Sequence, residues 1–168
     1  MNSHLRSARE AIEDGAGSLA LDVIGRPVDG RWSVAEILEH LTLAFRGNTA
    51  SLHKALESGE PRARPASLKQ RLGRVVVVDL GYFPRVEAPQ MTRPTRAIPA
   101  DRALPEIRDA LELLEATLTR VSETFGPHVA VANHPYFAGM TVDQWRKFHW
   151  RHTVHHMKQV RALSSRDT

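Results

Sequence analysis

The 168-residue sequence contains no cysteine. Disulfides, thiol nucleophiles and thiolate metal sites are therefore excluded together, and a cytoplasmic protein is the default expectation. The N-terminal residues lack the apolar core of a secretory signal, and no run approaches the roughly 20 apolar residues of a membrane-spanning helix. Neither a P-loop nor a G-x-G-x-x-G pattern occurs, which excludes the usual nucleotide cradles. The length favours a single domain over residues 1–168.

Positive charge is in modest excess and is concentrated in one segment. The net charge of +4 is too small to indicate a nucleic-acid partner, so we expect none. Residues 60–108 hold nine arginines and one lysine against five acidic side chains. These arginines could attract a carboxylate or phosphorylated substrate, although a solvated loop is the simpler alternative. The candidates are Arg62, Arg64, Arg71, Arg74, Arg93 and Arg96.

Apolar residues recur at helical spacing along most of the chain, which predicts an all-α protein. A first helix ends near Gly15–Gly17. A second begins with the capping box of Ser33 and Glu36 and runs to Gly59. A third covers residues 104–125, and a last helix follows a second capping box at 141–144. No convincing hairpin pattern is present, so the sequence predicts a four-helix bundle.

Residues 60–105 form the connection between the second and third long helices, and they differ from the rest. Seven of the ten prolines lie here, which predicts an irregular Pro/Arg-rich connection that no long helix crosses intact. The four valines at 75–78 fit either a buried strand or a short helix. Connections of this length in compact domains are usually lids, binding loops or partly disordered segments.

Two histidines one helical turn apart suggest a metal site near the C-terminus. His152 and His156 share the helix face that carries Trp145 and Leu163, so both should point inward. They are either hydrogen-bonded core residues or neutral ligands of a divalent ion. His40, on the inward face of the second helix, would complete a three-imidazole set with an open coordination position.

Other patterns restrict the chemistry of such a site. The pair lacks the glutamate of H-E-x-x-H, and no Glu-x-x-His occurs, which excludes zincin and carboxylate di-iron sites. Glu36 lies one turn before His40, and His149 lies one turn before His152. Each could orient a ligand or transfer a proton, or could serve only as a cap or a solvated side chain. We expect the remaining His4, His53 and His128 to be solvated.

Three stretches resemble the DinB-like (YfiT-like) metalloenzyme superfamily. They are WSVAEILEHL at 32–41, FHWRHTVHHMKQ at 148–159, and HPYF at 134–137 followed by Met140-Thr141 and Trp145. The last is similar to an uncharacterised branch with an HP-x-F-G turn before the final helix; the glycine of that turn is Ala138 here. The resemblance implies a metal triad at His40, His152 and His156.

The resemblance also implies what the protein does. Characterised relatives include transferases and isomerases that use low-molecular-weight thiols, and others are described as hydrolases. We therefore expect a metal-dependent enzyme, thiol S-transferase-like or hydrolase-like, acting on a small thiol or anionic compound. The alternative is a non-catalytic, stress-associated binding protein whose metal is structural or vestigial. Zinc, nickel, iron and copper all suit three imidazoles. We expect no membrane partner, and apolar outer stripes on a bundle are compatible with a homodimer.

Overall fold

The protein is mostly helical. The computed structural model describes residues 1–84 and 87–165, which form six α-helices and one antiparallel pair of strands. In chain order these elements are α1 (Ser3–Ala16), α2 (Leu21–Gly25), α3 (Val34–Ser58), α4 (Leu68–Arg74), α5 (Ala100–Phe125), β1 (Ala132–His134), β2 (Ala138–Met140) and α6 (Val142–Ser164).

Local sequence signals set the ends of the helices that carry the predicted site. The Ser33 side chain accepts a hydrogen bond from the Glu36 amide, and the Glu36 carboxylate accepts one from the Ser33 amide. Thr141 and Gln144 form the same capping box at the start of α6. Helix α3 ends at Gly59, whose φ of 68° suits glycine. Both predicted helix starts, and the end of α3, are confirmed.

The long helices pack in pairs around one apolar core. Helix α1 lies along α6, and α3 lies along α5, while α3 also contacts α6. The α3–α6 contact brings the two helices with the candidate histidines together. The largest fully buried side chains include Leu5, Ile12, Leu38, Leu41, Phe45, Leu52, Ile107, Leu111, Leu114, Leu118 and Trp145.

The connection between α3 and α5 is more regular than predicted. It contains α4, a π-helical turn at Val75–Asp79 and a 3-10 turn at Gln90–Thr92. The valine run is therefore helical, with Val77 and Val78 buried. Helix α5 begins at Ala100, so the predicted irregular stretch 60–105 extends six residues too far. Pro105 lies inside α5 as its sixth residue, so the helix lacks the backbone bond that an N–H at this position would donate to the Asp101 carbonyl oxygen.

Helix α2 and the hairpin are not predicted from the sequence, because each is too short for a periodic signal. In the hairpin, His134 pairs with Ala138. Ala138 has a φ of 55°, a left-handed conformation that favours glycine, at the position where the resembled branch has glycine. Gly139 is needed for a different reason: a Cβ there would lie 2.8 Å from the Ala63 Cβ and 2.9 Å from the Arg64 carbonyl oxygen.

None of the helices within residues 1–84 and 87–165 combines the length and the apolar character needed to cross a membrane.

Candidate metal centre

The structure brings the three predicted histidines together. Helix α3 supplies His40, and α6 supplies His152 and His156. The Nε2 atom of His152 lies 3.2 Å from Nε2 of His40 and 3.1 Å from Nε2 of His156. Two imidazole nitrogens bound to one zinc ion at about 2.0–2.1 Å lie about 2.8–3.4 Å apart for angles of about 90–109°. These two distances therefore fit a shared ion, and the three ligand atoms all lie within 4.8 Å of one another.

Hydrogen bonds on the far side of two rings decide where their protons lie. His40 Nδ1 donates to the Thr92 carbonyl oxygen at 2.7 Å, since a carbonyl only accepts. His156 Nδ1 donates to Gln159 Oε1 at 2.8 Å, and the amide nitrogen of Gln159 donates to His155 Nε2 at 3.2 Å. Neutral rings with a proton on Nδ1 carry a lone pair on Nε2. Both lone pairs are directed at His152.

The three facing Nε2 atoms carry too few protons for the rings to hydrogen-bond one another. His152 Nε2 can carry one proton, and one N–H cannot make two good hydrogen bonds to lone pairs on different rings. At least one close nitrogen–nitrogen contact then places lone pair against lone pair. A divalent cation accepts all three lone pairs at once. The three imidazole nitrogens thus fit a bound metal ion better than they fit a cluster held together only by hydrogen bonds among the rings.

Burial keeps these side chains neutral, as metal ligands must be. His40 and His156 are buried, and His152 is partly exposed. Desolvation lowers the pKa of His40 despite the opposing bond to Thr92, and it lowers the pKa of His156 to about 3. The pKa of His152 lies well below its ordinary value because of burial and then because of the neighbouring His156 and His40.

A loop anchored on Glu39 holds the Thr92 carbonyl against His40. The Glu39 carboxylate is buried and accepts hydrogen bonds from the Thr95 amide and hydroxyl and from the Arg96 and Ala97 amides, at 3.0–3.3 Å. The residue next to a ligand therefore fixes the loop that orients this ligand. Such outer bonds typically set the tautomer and position of a metal-binding imidazole.

His152 is oriented by ring stacking. Its Nδ1 atom is buried without a hydrogen-bond partner among the described residues. Phe148 stacks on it with ring centroids 5.3 Å apart, and Phe83 stacks on it at 5.7 Å. Phe83 comes from the connection after the π-helical turn, and Trp32 packs against His40 with centroids 5.0 Å apart. Aromatic side chains thus border the centre on two sides.

Glu36 and His149 lie near the ligands but are engaged elsewhere. The Glu36 carboxylate caps α3 through Ser33 and accepts a hydrogen bond from Arg96 Nε at 3.0 Å. His149 is fully buried, and its Nε2 lies 3.1 Å from the Asn48 amide nitrogen. Burial, with a smaller effect of His134, lowers the pKa of His149 to about 3. These contacts assign both side chains to packing and capping rather than to a bond with the triad.

Two of the histidines predicted to be solvated make specific contacts. The His4 ring stacks on Trp150 with centroids 5.2 Å apart, and His53 Nε2 lies 3.0 Å from the Thr117 hydroxyl. Both are partly buried, whereas His128 is exposed as predicted. Only three histidines in the described ranges form a metal-ligating cluster.

The basic residues of the connection separate into two groups. Arg93 pairs with Glu87, and Arg96 pairs with Glu36, so these two charges are matched locally. Arg64, Arg71 and Arg74 line a cavity beside the N-terminal end of α6. None of the three histidines is among the described residues that line this cavity. The attraction of an anionic substrate by these arginines stays a prediction.

Comparison with known proteins identifies a family. The family model described as a protein of unknown function, DUF1569, matches residues 5–162. The chain belongs to the DUF1569 family. All three histidines and the connection that covers them lie within the matched region. No curated protein and no solved structure matches the chain.

The residues that support the three histidines of this DUF1569 protein were not predicted from the sequence. Gln159 could have been found, because it lies three residues after His156 on the same helix. Glu39 carried a weak signal, as an acidic residue beside an inward-facing histidine. Thr92 acts through its backbone carbonyl, and the stacking of Phe83 depends on the path of the connection, so no side-chain pattern indicates either contact.

Proposed function

We propose that this protein is a metal-dependent enzyme acting on a small molecule at a centre formed by His40, His152 and His156. The proposal includes membership of the DinB-like superfamily and a four-helix bundle of α1, α3, α5 and α6. The pairing of α1 with α6 and of α3 with α5 supports the bundle. A cytoplasmic location and a small thiol or anionic substrate are part of the same proposal.

One observation carries the proposal: two imidazole lone pairs, fixed by bonds to Thr92 and Gln159, face a third imidazole at 3.1–3.2 Å. A purely structural core would place hydrogen-bond donors there. A bound divalent ion with three protein ligands would supply an open Lewis-acid position that lowers the pKa of a bound thiol or water.

The chain's own residues suit thiol chemistry somewhat better than hydrolysis. Glu39 and Glu36 are committed to the Thr95–Ala97 loop and to capping, so neither is positioned as a general base. A thiol bound as thiolate is already a nucleophile, whereas a hydrolase needs a base or an acidified water. The stacked Phe83 and the nearby Trp32 provide an apolar border for a small organic substrate.

A non-catalytic binding protein is the competing function. The same three histidines would then hold a metal whose remaining positions are filled. The two functions differ in one measurable property, the access of an added ligand to the metal.

Cobalt substitution tests this access. The protein is stripped with a chelator, reloaded with Co²⁺ and titrated with 2-mercaptoethanol while the visible and near-ultraviolet spectra are recorded. A saturable sulfur-to-cobalt charge-transfer band is expected for an open centre. The matched control is His128→Ala, which alters an exposed histidine outside the triad and should give the same band.

Two results would contradict the proposal. A Co²⁺ spectrum that does not change up to high thiol concentrations indicates a closed, structural site. A charge-transfer band of full intensity in His152→Ala would show that the thiol binds cobalt elsewhere.

A further inference from the structure

The cavity lined by Arg64, Arg71 and Arg74 lies between the connection and the start of α6. It has a volume of about 280 Å³, and its described lining includes Arg64, Arg71 and Arg74 but no carboxylate. Thr141 and Gln144, from the first turn of α6, form part of the opposite wall. Three guanidinium groups without an acidic side chain make a strongly cationic depression.

The three arginines have unused hydrogen-bonding capacity. Among the described residues, none of them forms an ion pair, whereas Arg93 and Arg96 in the same connection do. Arg71 Nε donates to the Ala66 carbonyl at 3.2 Å, and Arg74 Nη1 donates to the Gly139 carbonyl at 2.9 Å. A guanidinium has five N–H donors, so most of them remain available for a ligand.

The backbone around the cavity is fixed before any ligand arrives. The Arg62 amide donates to the Val131 carbonyl at 2.8 Å, and the Arg64 amide donates to Asn133 Oδ1 at 2.8 Å. Gly139 N donates to the Arg64 carbonyl at 3.2 Å. The segment before α4 is therefore bound along the hairpin like an added strand. The backbone that carries Arg64 therefore need not be ordered when an anion binds.

This cavity is separate from the metal centre. Gln144 and His152 are eight residues apart on α6, about 12 Å at a rise of about 1.5 Å per residue. Gly73, at the end of α4, lies against Phe137, and Phe137 contacts Phe148, which stacks on His152. An aromatic layer thus stands between the arginines and the histidines.

We infer that the cavity binds a phosphate monoester group. Guanidinium groups bind phosphate through paired, charge-assisted hydrogen bonds, and three of them match a doubly charged head group. The volume lies just below the usual range of ligand pockets, about 300–1,000 Å³, which favours a small phosphorylated molecule over a nucleotide.

The phosphate could belong to a soluble molecule or to a lipid head group. Leu68 and Leu72, on the same helix as Arg71, are 74% and 59% exposed. Both sources share the phosphate chemistry, and the experiment separates them.

Calorimetric titration with glycerol 3-phosphate and with inorganic phosphate tests the site, and sedimentation with phosphatidic-acid vesicles tests the lipid source. We expect saturable binding that weakens as salt rises, and a loss of about tenfold or more in Arg74→Gln and Arg71→Gln. Binding to vesicles but not to glycerol 3-phosphate would assign the phosphate to a lipid. Arg62→Gln, in the same segment but outside the cavity lining, is the matched control and should bind like the wild type.

The His152→Ala variant distinguishes this cavity from the metal centre. It should retain the affinity for glycerol 3-phosphate even if it loses metal and thiol binding. Loss of phosphate binding in His152→Ala would place the anion on the metal and overturn the inference. Absence of saturable binding, or full binding by the folded Arg71→Gln variant, whose altered side chain is exposed, would overturn it too.

Discussion

Replacing Glu39 by glutamine tests how the loop at Thr95–Ala97 supports the candidate metal centre. One carboxylate oxygen accepts from the Thr95 amide, the Thr95 hydroxyl and the Ala97 amide, and the other accepts from the Arg96 amide. Glutamine keeps one acceptor oxygen but presents an NH2 group to the Arg96 N–H. The variant therefore loses the charge on every bond and sets two donors against each other.

The expected effect follows from these bonds. Hydrogen bonds to charged groups contribute about 1.5–3 kcal/mol, and an unpaired buried donor costs a similar amount, so Glu39→Gln should lower the unfolding free energy by about 2–4 kcal/mol. The Thr92 carbonyl would then hold His40 less firmly, and Zn²⁺ affinity should fall about 10–100-fold. Urea denaturation of the metal-free protein gives the first quantity, and competition with a chromophoric chelator gives the second.

Glu36→Gln is the matched control on the same helix. Glutamine still completes the capping box, and the lost partner, Arg96, has a 76% exposed side chain, so the change should be below about 1 kcal/mol. Equal destabilisation by the two variants would refute the anchoring role of Glu39. Unchanged Zn²⁺ affinity in a destabilised Glu39→Gln would show that the loop does not orient His40.

Three further predictions concern the hairpin and the buried histidines. Ala138→Gly should raise the unfolding free energy by about 0.5–1 kcal/mol, because it relieves a left-handed alanine at a smaller entropic loss; equal or lower stability in urea would refute this. Gly139→Ala should lower the unfolding free energy by about 1–3 kcal/mol, because its methyl group would crowd Ala63. An unchanged unfolding free energy would show that the segment before α4 shifts to accommodate the methyl group. Burial lowers the pKa of His134 and of His149 to about 3. The unfolded chain therefore binds more protons than the folded chain between about pH 6.5 and 3. The two residues together should lower the unfolding free energy by about 2 kcal/mol as the pH falls from 6 to 5. His134→Asn should reduce the loss of unfolding free energy between pH 6 and 5 by about 1 kcal/mol, and an unchanged loss in His134→Asn would contradict the burial of that ring.

The sequence predicted the parts of the fold that follow local rules. The capping boxes at Ser33 and Thr141 marked helix starts, and Gly59 marked a helix end, because each satisfies backbone groups within a few residues. Helical spacing then placed His40, His152 and His156 on inward faces. Once α3 and α6 are in contact, this inward placement is sufficient to bring the three side chains together.

What the sequence could not predict depends on long-range packing. Pro105 inside α5 and the helical valines at 75–78 reflect tertiary contacts that outweigh local preference. Long-range packing also separates the ion-paired arginines from those that line the cavity. The pairing of Arg96 with Glu36 and the cavity lined by Arg71 both depend on how the connection folds back. Glu39 anchors the loop that holds the Thr92 carbonyl, and the two segments lie more than 50 residues apart in the sequence. A contact over this distance produces no periodic sequence pattern.

Elemental analysis of the purified protein beside His152→Ala and His128→Ala tests the metal centre most directly. The wild type and His128→Ala should each contain about one divalent ion per chain, and His152→Ala should lose it, because two imidazoles hold an ion far less tightly than three. Comparable stoichiometric metal in His152→Ala and the wild type would contradict the three-histidine centre.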